Sequence, residues 1–208
     1  MTLAPELAHL EHLLADGRRK LLGLAGAPGS GKSALARALE QALPGRAQVV
    51  PMDGFHLAQV ELRRLGRAER KGAPDTFDSA GYVALLRRLR EQREDEIVYA
   101  PEFRREIEEP VAGAIAVLPG TQLVITEGNY LLLQDGPWAD VAPLLDEVWY
   151  VEVDDALRLE RLVRRHQQFG RSPEEARAWV EQTDEPNARR IAATRERAHR
   201  VVRAASPA

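Results

Sequence analysis

Residues 21–33 read LLGLAGAPGSGKS, and the last eight, Gly26 to Ser33, fit the pattern G-x-x-x-x-G-K-[ST]. The apolar run Leu21 to Gly26 predicts a strand. Ser33 to Leu43, with Leu35, Leu39 and Leu43 on one stripe and Pro44-Gly45 behind them, predicts a helix and its stop. A glycine-rich turn between strand and helix aims backbone N–H groups into one small concavity, and the helix adds its positive N-terminal end. That is a phosphate cradle, with Gly26, Ala27, Pro28, Gly29, Ser30 and Gly31 as its wall. Lys32 is placed to reach the β- and γ-phosphates of a nucleotide, and the Ser33 hydroxyl to ligate Mg²⁺. Four fixed positions arise by chance in roughly one chain in a hundred of this length, but chance does not also supply the flanking strand and helix.

Working outward, strand and helix signals alternate. Gln48 to Met52, Ile97 to Tyr99, Gln122 to Gly128 and Glu147 to Val153 read as strands, with HRVVRA as a last one. Tyr82 to Leu89, capped by Asp78 or Ser79, Asp155 to Gln167, Pro173 to Gln182 and Glu185 to Ala198 read as helices. Arg63 to Pro74 is basic and punctuated by Gly and Pro, hence loop in part. Leu3, Leu7, Leu10 and Leu14 predict a short amphipathic helix within residues 1–17. Repeated strand-then-helix order predicts an α/β fold around a parallel sheet. No repeat or linker interrupts it, so residues 1–208 are expected to form one domain.

Composition bounds the function. Of 208 residues, 44% are apolar and 29% charged, with a formal net charge of -3, as in a globular chain with a sizeable core. That balance argues against a dedicated nucleic-acid binder. The absence of cysteine excludes disulfides, thiolate catalysis and Cys-ligated zinc. No apolar run approaches the ~18 residues of a membrane span. The N-terminal stretch lacks the basic start and apolar segment of a signal peptide, so a cytoplasmic protein is expected. Lysine occurs only at Lys20, Lys32 and Lys71, and the last two fall in motifs.

A phosphate cradle alone does not separate kinases from switches and motors. The Asn-Lys-x-Asp guanine reader of GTPases is absent, and the strand ending Thr126-Glu127-Gly128 carries one acid rather than two. Glu127 is placed to hold Mg²⁺ directly or through water. In an open parallel sheet, ligands bind beyond the carboxyl ends of the strands. Asp53 leaves the second strand at that edge, where a small-molecule kinase needs a carboxylate to accept the proton of the attacking hydroxyl. His56 beside it reads either as an acceptor contact or as part of a plain surface turn. Arg158 and Arg161 at i, i+3 and Arg161 and Arg165 at i, i+4 share helix faces. They read as an Arg-rich lid over phosphates or as a solvated helix pairing with Glu160.

GAPGSGKS, MDGFH, RKGAPDTFD, ITEGNYLL and LRLERLVRRHQQFGR occur in the order seen in the uridine kinase, phosphoribulokinase and bacterial pantothenate kinase group, over about Leu21 to Arg190. The pattern most resembles small bacterial kinases labelled as fructose-transport-system kinases or nucleoside/nucleotide kinase-like proteins. The resemblance implies the P-loop three-layer fold, a central parallel sheet flanked by helices, with a helical lid over about residues 155–182. It implies ATP and Mg²⁺ as cosubstrates, Asp53 as the catalytic carboxylate with Lys32, and Glu127 at the acidic metal position. Arg158, Arg161, Arg164, Arg165 and Arg171 match the basic lid positions. Lys71 and Tyr99 match acceptor-side positions, although Pro101-Glu102 stand where the uridine and pantothenate kinase patterns carry a His. Arg104 and Arg105 either contact an acidic or hydroxyl-rich acceptor or pair with Glu106 and Glu108. Asn187 in DEPNARRI is a further candidate facing the site. The expected activity is ATP-dependent phosphorylation of a small-molecule acceptor, a sugar such as fructose first, with a nucleoside or pantothenate behind it. The rival of another class is a nucleotide-binding regulatory module of a transport system. A homodimer is compatible with the sequence, which does not fix the oligomeric state.

Overall fold

A computed structural model describes residues 3–203. Five parallel strands make the main sheet: β1 (Lys20–Ala25), β2 (Ala47–Val49), β5 (Leu123–Gly128), β6 (Glu147–Glu152) and β7 (Arg200–Arg203), in the order β2-β5-β1-β6-β7. β1 is central and buried along its whole length, so both faces of its pleat must be apolar. They are. Leu21 and Ala25 join one core layer, with Tyr82, Leu86, Val124, Trp138 and Val148. Leu22 and Leu24 join the other, with Leu10, Leu35, Leu39, Ile125 and Trp149. Helices α1 (Ala4–Leu13) and α2 (Lys32–Ala42) cover this second face, and α4 (Ser79–Arg90) covers the first. The result is the three-layer α/β fold.

The helix starts follow from capping chemistry. The Asp78 carboxylate accepts from the Gly81 N–H at 2.8 Å and starts α4. Asp154 accepts from the Leu157 N–H at 3.1 Å and starts α5 (Asp155–Gln168). Ser172 and Glu175 form a reciprocal capping box at α6 (Pro173–Trp179).

Four boundaries differ from the sequence expectation. β2 stops at Val49, because Pro51 has no N–H for the ladder and Met52–Phe55 winds into a tight helical turn. The strand expected at Ile97 to Tyr99 is the start of a hairpin, β3 (Val98–Arg104) against β4 (Glu109–Val117), which stands apart from the main sheet. The helix expected over Pro173 to Gln182 gives way after Trp179 to a π-helical turn, Val180–Asp184, that runs into α7 (Glu185–Ala192). α7 itself ends at Ala192, short of the expected Ala198. A short helix α3 (Gln59–Arg64) opens the basic segment after Asp53.

Candidate active site

Gly26, Gly29 and Gly31 all take positive φ, at 153°, 80° and 96°. A Cβ at Gly29 would lie 2.9 Å from the Arg158 carbonyl oxygen, so the turn is wedged against α5 as well as twisted. The Lys32 ammonium folds back into this turn. It donates to the carbonyls of Gly26 at 2.9 Å and Ala27 at 3.0 Å and to Asn129 Oδ1 at 2.9 Å. Burial lowers its pKa to about 8, against the opposing charges of Glu127 and Asp53, and nearby Arg165 lowers it further.

Ser33 Oγ donates to Glu127 Oε1 at 2.8 Å. Burial, aided by the charge of Asp53, pushes the Glu127 carboxyl above its ordinary range. These two oxygen donors come from the start of α2 and the end of β5. A hydroxyl and a carboxylate suit Mg²⁺, which keeps several waters and takes phosphate oxygens rather than a full protein cage.

Asp53 sits in the tight turn after β2. Its carbonyl oxygen accepts from the His56 N–H at 3.1 Å and from His56 Nδ1 at 2.7 Å. A carbonyl can only accept, so the proton lies on Nδ1, and Nε2 of the neutral ring is left as an acceptor. The ring is held between Phe77, with centroids 4.0 Å apart, and Phe103, at 4.6 Å. Burial lowers the His56 pKa, which favours that neutral ring. The hairpin lies directly above: a Cβ at Gly54 would meet the Pro101 carbonyl oxygen at 2.3 Å. From the hairpin, Arg105 Nη2 reaches Asp53 Oδ2 at 3.4 Å. Lys71 Nζ donates to the Glu108 carbonyl and stands 5.1 Å from the Phe103 ring centroid.

Gly29, Gly31, Lys32, Asn129, Ser33, Glu127, Asp53 and His56 open onto one cavity of about 830 Å³, which Gly26 does not line. Lys32, Ser33, Asp53, His56, Lys71, Arg105, Glu127, Arg165, Arg171 and Asn187 line it, as the sequence anticipated. Other expected positions lie elsewhere. Tyr99 is 56% exposed on β3 and outside the cavity, because strand alternation turns it away while Val98 and Ala100 are buried. Arg104 also misses it and pairs with Glu102 at 2.7 Å. Arg161 is not part of the lining. Arg158 is buried between Asp155 and Glu185, and Arg164 pairs with Glu160 at 2.6 Å on the surface. Ala27 and Ser30 line a second, smaller space behind the loop. The sequence reading missed Asn129, Phe103, His166, Trp179 and Asp184 as lining residues. Asn129 alone had a local signal, two residues past Glu127 at the end of a buried strand.

Residues 21–207 match the model of the "Phosphoribulokinase / Uridine kinase family". The chain belongs to this family. As a family member it is a P-loop kinase, a phosphotransferase to a hydroxyl group. It is 39% identical over 181 residues to "Putative uridine kinase C227.14" of Schizosaccharomyces pombe, covering 83% of this chain and 76% of that one. It is 34% identical over 191 residues to the protein YggC of Escherichia coli, covering 89% and 78%. Among solved structures it is similar to a "putative fructose transport system kinase" of Silicibacter, at 40% identity and a TM-score of 0.81, covering 89% and 90% of the two chains. The fold of Saccharomyces cerevisiae YFH7 also superimposes, at a TM-score of 0.79 and 20% identity, over 98% and 99% of the two chains.

Proposed function

We propose that this family member transfers the γ-phosphoryl group of ATP to a hydroxyl of a small metabolite in the cytoplasm, with a sugar such as fructose as the first candidate. The observation that carries the reading is a single cavity lined by the P-loop at Lys32 and Ser33 and by the Asp53 carboxylate. The name of the similar Silicibacter kinase supports the choice of fructose.

In this reading the P-loop amides and Lys32 hold the β- and γ-phosphates, and Lys32 exchanges its contacts with Gly26, Ala27 and Asn129 for phosphate oxygens. Arg165 and Arg171 come from the lid side to offset charge on the moving phosphoryl group. Asp53 accepts the proton of the acceptor hydroxyl, while His56 Nε2 takes a hydrogen bond from the acceptor. Ser33 and Glu127 would hold Mg²⁺, which supplies charge neutralisation at the phosphates when bound. Lys71 and Arg105 border the acceptor end.

The test is ADP release from Mg²⁺-ATP with a panel of sugars, nucleosides and pantothenate. A sugar that raises the rate at least about tenfold over the acceptor-free rate is expected, a small share of the 10⁶-fold or greater acceleration typical of enzymes. A panel in which no compound raises it would support the regulatory-module reading instead.

A further inference from the structure

β5 ends at Gly128 and the chain runs on through Asn129 and Tyr130. Each residue from Glu127 to Tyr130 touches a different part of the site. Glu127 accepts from Ser33, and Asn129 Oδ1 accepts from Lys32. Gly128 packs on Met52, the neighbour of Asp53, where an added Cβ would stand 2.6 Å from the Met52 Cβ. Tyr130 differs from the others. It is fully buried, lies outside the cavity lining and takes no part in the transfer chemistry described above. Its hydroxyl donates to the Gly72 carbonyl, in the wall that faces Asp53.

That wall is the segment from Lys71 to Phe77, of which Lys71, Gly72 and Phe77 line the cavity beside Asp53 and His56. Much of its bonding is internal. The Gly72 N–H donates to Thr76 Oγ1 at 3.0 Å, and Thr76 Oγ1 donates to the Ala73 carbonyl at 2.7 Å. Phe77 bridges to His56 in the Asp53 turn. Such bonds shape the segment and join it to the turn, but they do not set its place against the sheet. Two side-chain donors do that: Trp138 Nε1 to the Pro74 carbonyl at 3.2 Å, and the Tyr130 hydroxyl to Gly72. The Tyr130 ring also meets Phe77 edge-on, with centroids 5.7 Å apart. Tyr82 supplies a matched comparison. It is fully buried in the same core layer, and its hydroxyl donates to Thr126 Oγ1 at 2.6 Å, since Thr126 itself donates to the Val50 carbonyl. That bond ties α4 to β5 and does not reach the segment from Lys71 to Phe77.

We propose that Tyr130 is a positioning residue for the acceptor: through the Gly72 carbonyl it fixes the Lys71 to Phe77 wall to the same strand end that holds Ser33 and Lys32, so that acceptor and phosphates share one frame. Orientation of this kind is a large part of transfer catalysis, and it can be lost through a change remote from the reacting atoms. The inference rests on the transferase reading of the cavity, so the experiment carries one readout that needs no acceptor. Wild type, Tyr130→Phe and Tyr82→Phe are assayed for ADP release at varied acceptor and at varied Mg²⁺-ATP. The acceptor is whichever of D-fructose, uridine and pantothenate wild type turns over fastest. In parallel the three folded proteins are treated with trypsin, and cuts after Arg70 and Lys71 are identified by mass.

Tyr130→Phe is expected to raise the acceptor KM about three- to tenfold, the range for one net hydrogen bond, with the KM for ATP moved less than about twofold. Cutting after Arg70 and Lys71 should quicken by a similar factor, because cleavage follows the population of the open segment. Tyr82→Phe loses a comparable buried bond, so its Tm should fall by a similar amount. Its acceptor KM and its cutting rate at the two sites should stay within about twofold of wild type. An acceptor KM unmoved in Tyr130→Phe, an equal shift in both KM values, or the same shifts in Tyr82→Phe overturns the inference and leaves the transferase reading standing. Wild type that turns over no acceptor sinks the transferase reading. The tie from Tyr130 is then judged by trypsin alone: it stands where only Tyr130→Phe is cut faster and falls where the two variants behave alike. Melting curves of all three proteins show that folded molecules are being compared.

Discussion

Lys32 carries strong electrostatic tension: a buried ammonium held by neutral oxygens, with Glu127 and Asp53 near enough to favour its charge. Its proton leaves near pH 8 in the nucleotide-free protein. Phosphate oxygens favour the charged form more strongly, so the bound-state pKa lies higher. The sign follows by linkage: ATP affinity is complete below about pH 8 and falls as pH rises from there toward the bound-state pKa, by up to about tenfold per unit. A pH profile of kcat/KM for ATP that descends above pH 8, with kcat flatter over the same range, is the expected result. A profile level to pH 10 would contradict this account of Lys32. At this scale the sequence was informative where chemistry is local. The G-x-x-x-x-G-K-S spacing placed Lys32 and Ser33, and Asp53 and Glu127 followed from where their strands end. It was uninformative for Tyr99, whose direction depends on which face of an unrecognised hairpin is buried.

Among the elements, the β3–β4 hairpin shapes the Asp53 side of the cavity, the end proposed for the acceptor. Pro101 presses its carbonyl on Gly54, Phe103 stacks on His56, and Glu109 accepts from the Gln59 N–H at 3.0 Å to tie β4 to the start of α3. Little of this was legible. β4 is mostly exposed and reads EPVAGAIAV, with small residues and no clear alternation of apolar and polar, so the period-two signal of a strand is missing. The π-turn escaped for a related reason, since one extra residue per turn leaves no mark in a helical sequence. The hairpin contact gives a sharp prediction. Gly54→Ala puts a methyl group 2.3 Å from a backbone oxygen and must lift the hairpin, destabilising the protein by roughly 1–3 kcal/mol and raising the acceptor KM. Gly120, where an added methyl group would meet nothing within 4 Å, should accept Ala within about 0.5 kcal/mol. Urea melts of both variants check the pair. Equal stability would remove the hairpin from the account of the site.

For the molecule as a whole, the central sheet does two things at once. Its two apolar layers hold the fold, and the ends of β1, β2 and β5 deliver the P-loop, Asp53 and Glu127 to one edge. The layered architecture was the most legible feature, because β1 and β5 are buried on both faces and therefore nearly continuous in apolar residues. Core and site are thus coupled through α2, which packs its leucines on the sheet and presents its N-terminus to phosphate. Leu39→Ala, at a fully buried position, should cost about 2–5 kcal/mol. Mg²⁺-ADP at a hundred times its Kd should restore about 2.7 kcal/mol. Calorimetry with and without nucleotide measures both, and a melting temperature unmoved by nucleotide would deny the cradle its ligand.

The central claim is that the P-loop and the Asp53 carboxylate serve one transfer across one cavity. Its most direct test is Asp53→Asn, assayed for acceptor-dependent ADP release and, separately, for equilibrium ATP binding. Transfer is predicted to fall by about 10²- to 10⁴-fold with ATP affinity kept within a few-fold. Transfer at the wild-type rate in this variant would contradict it.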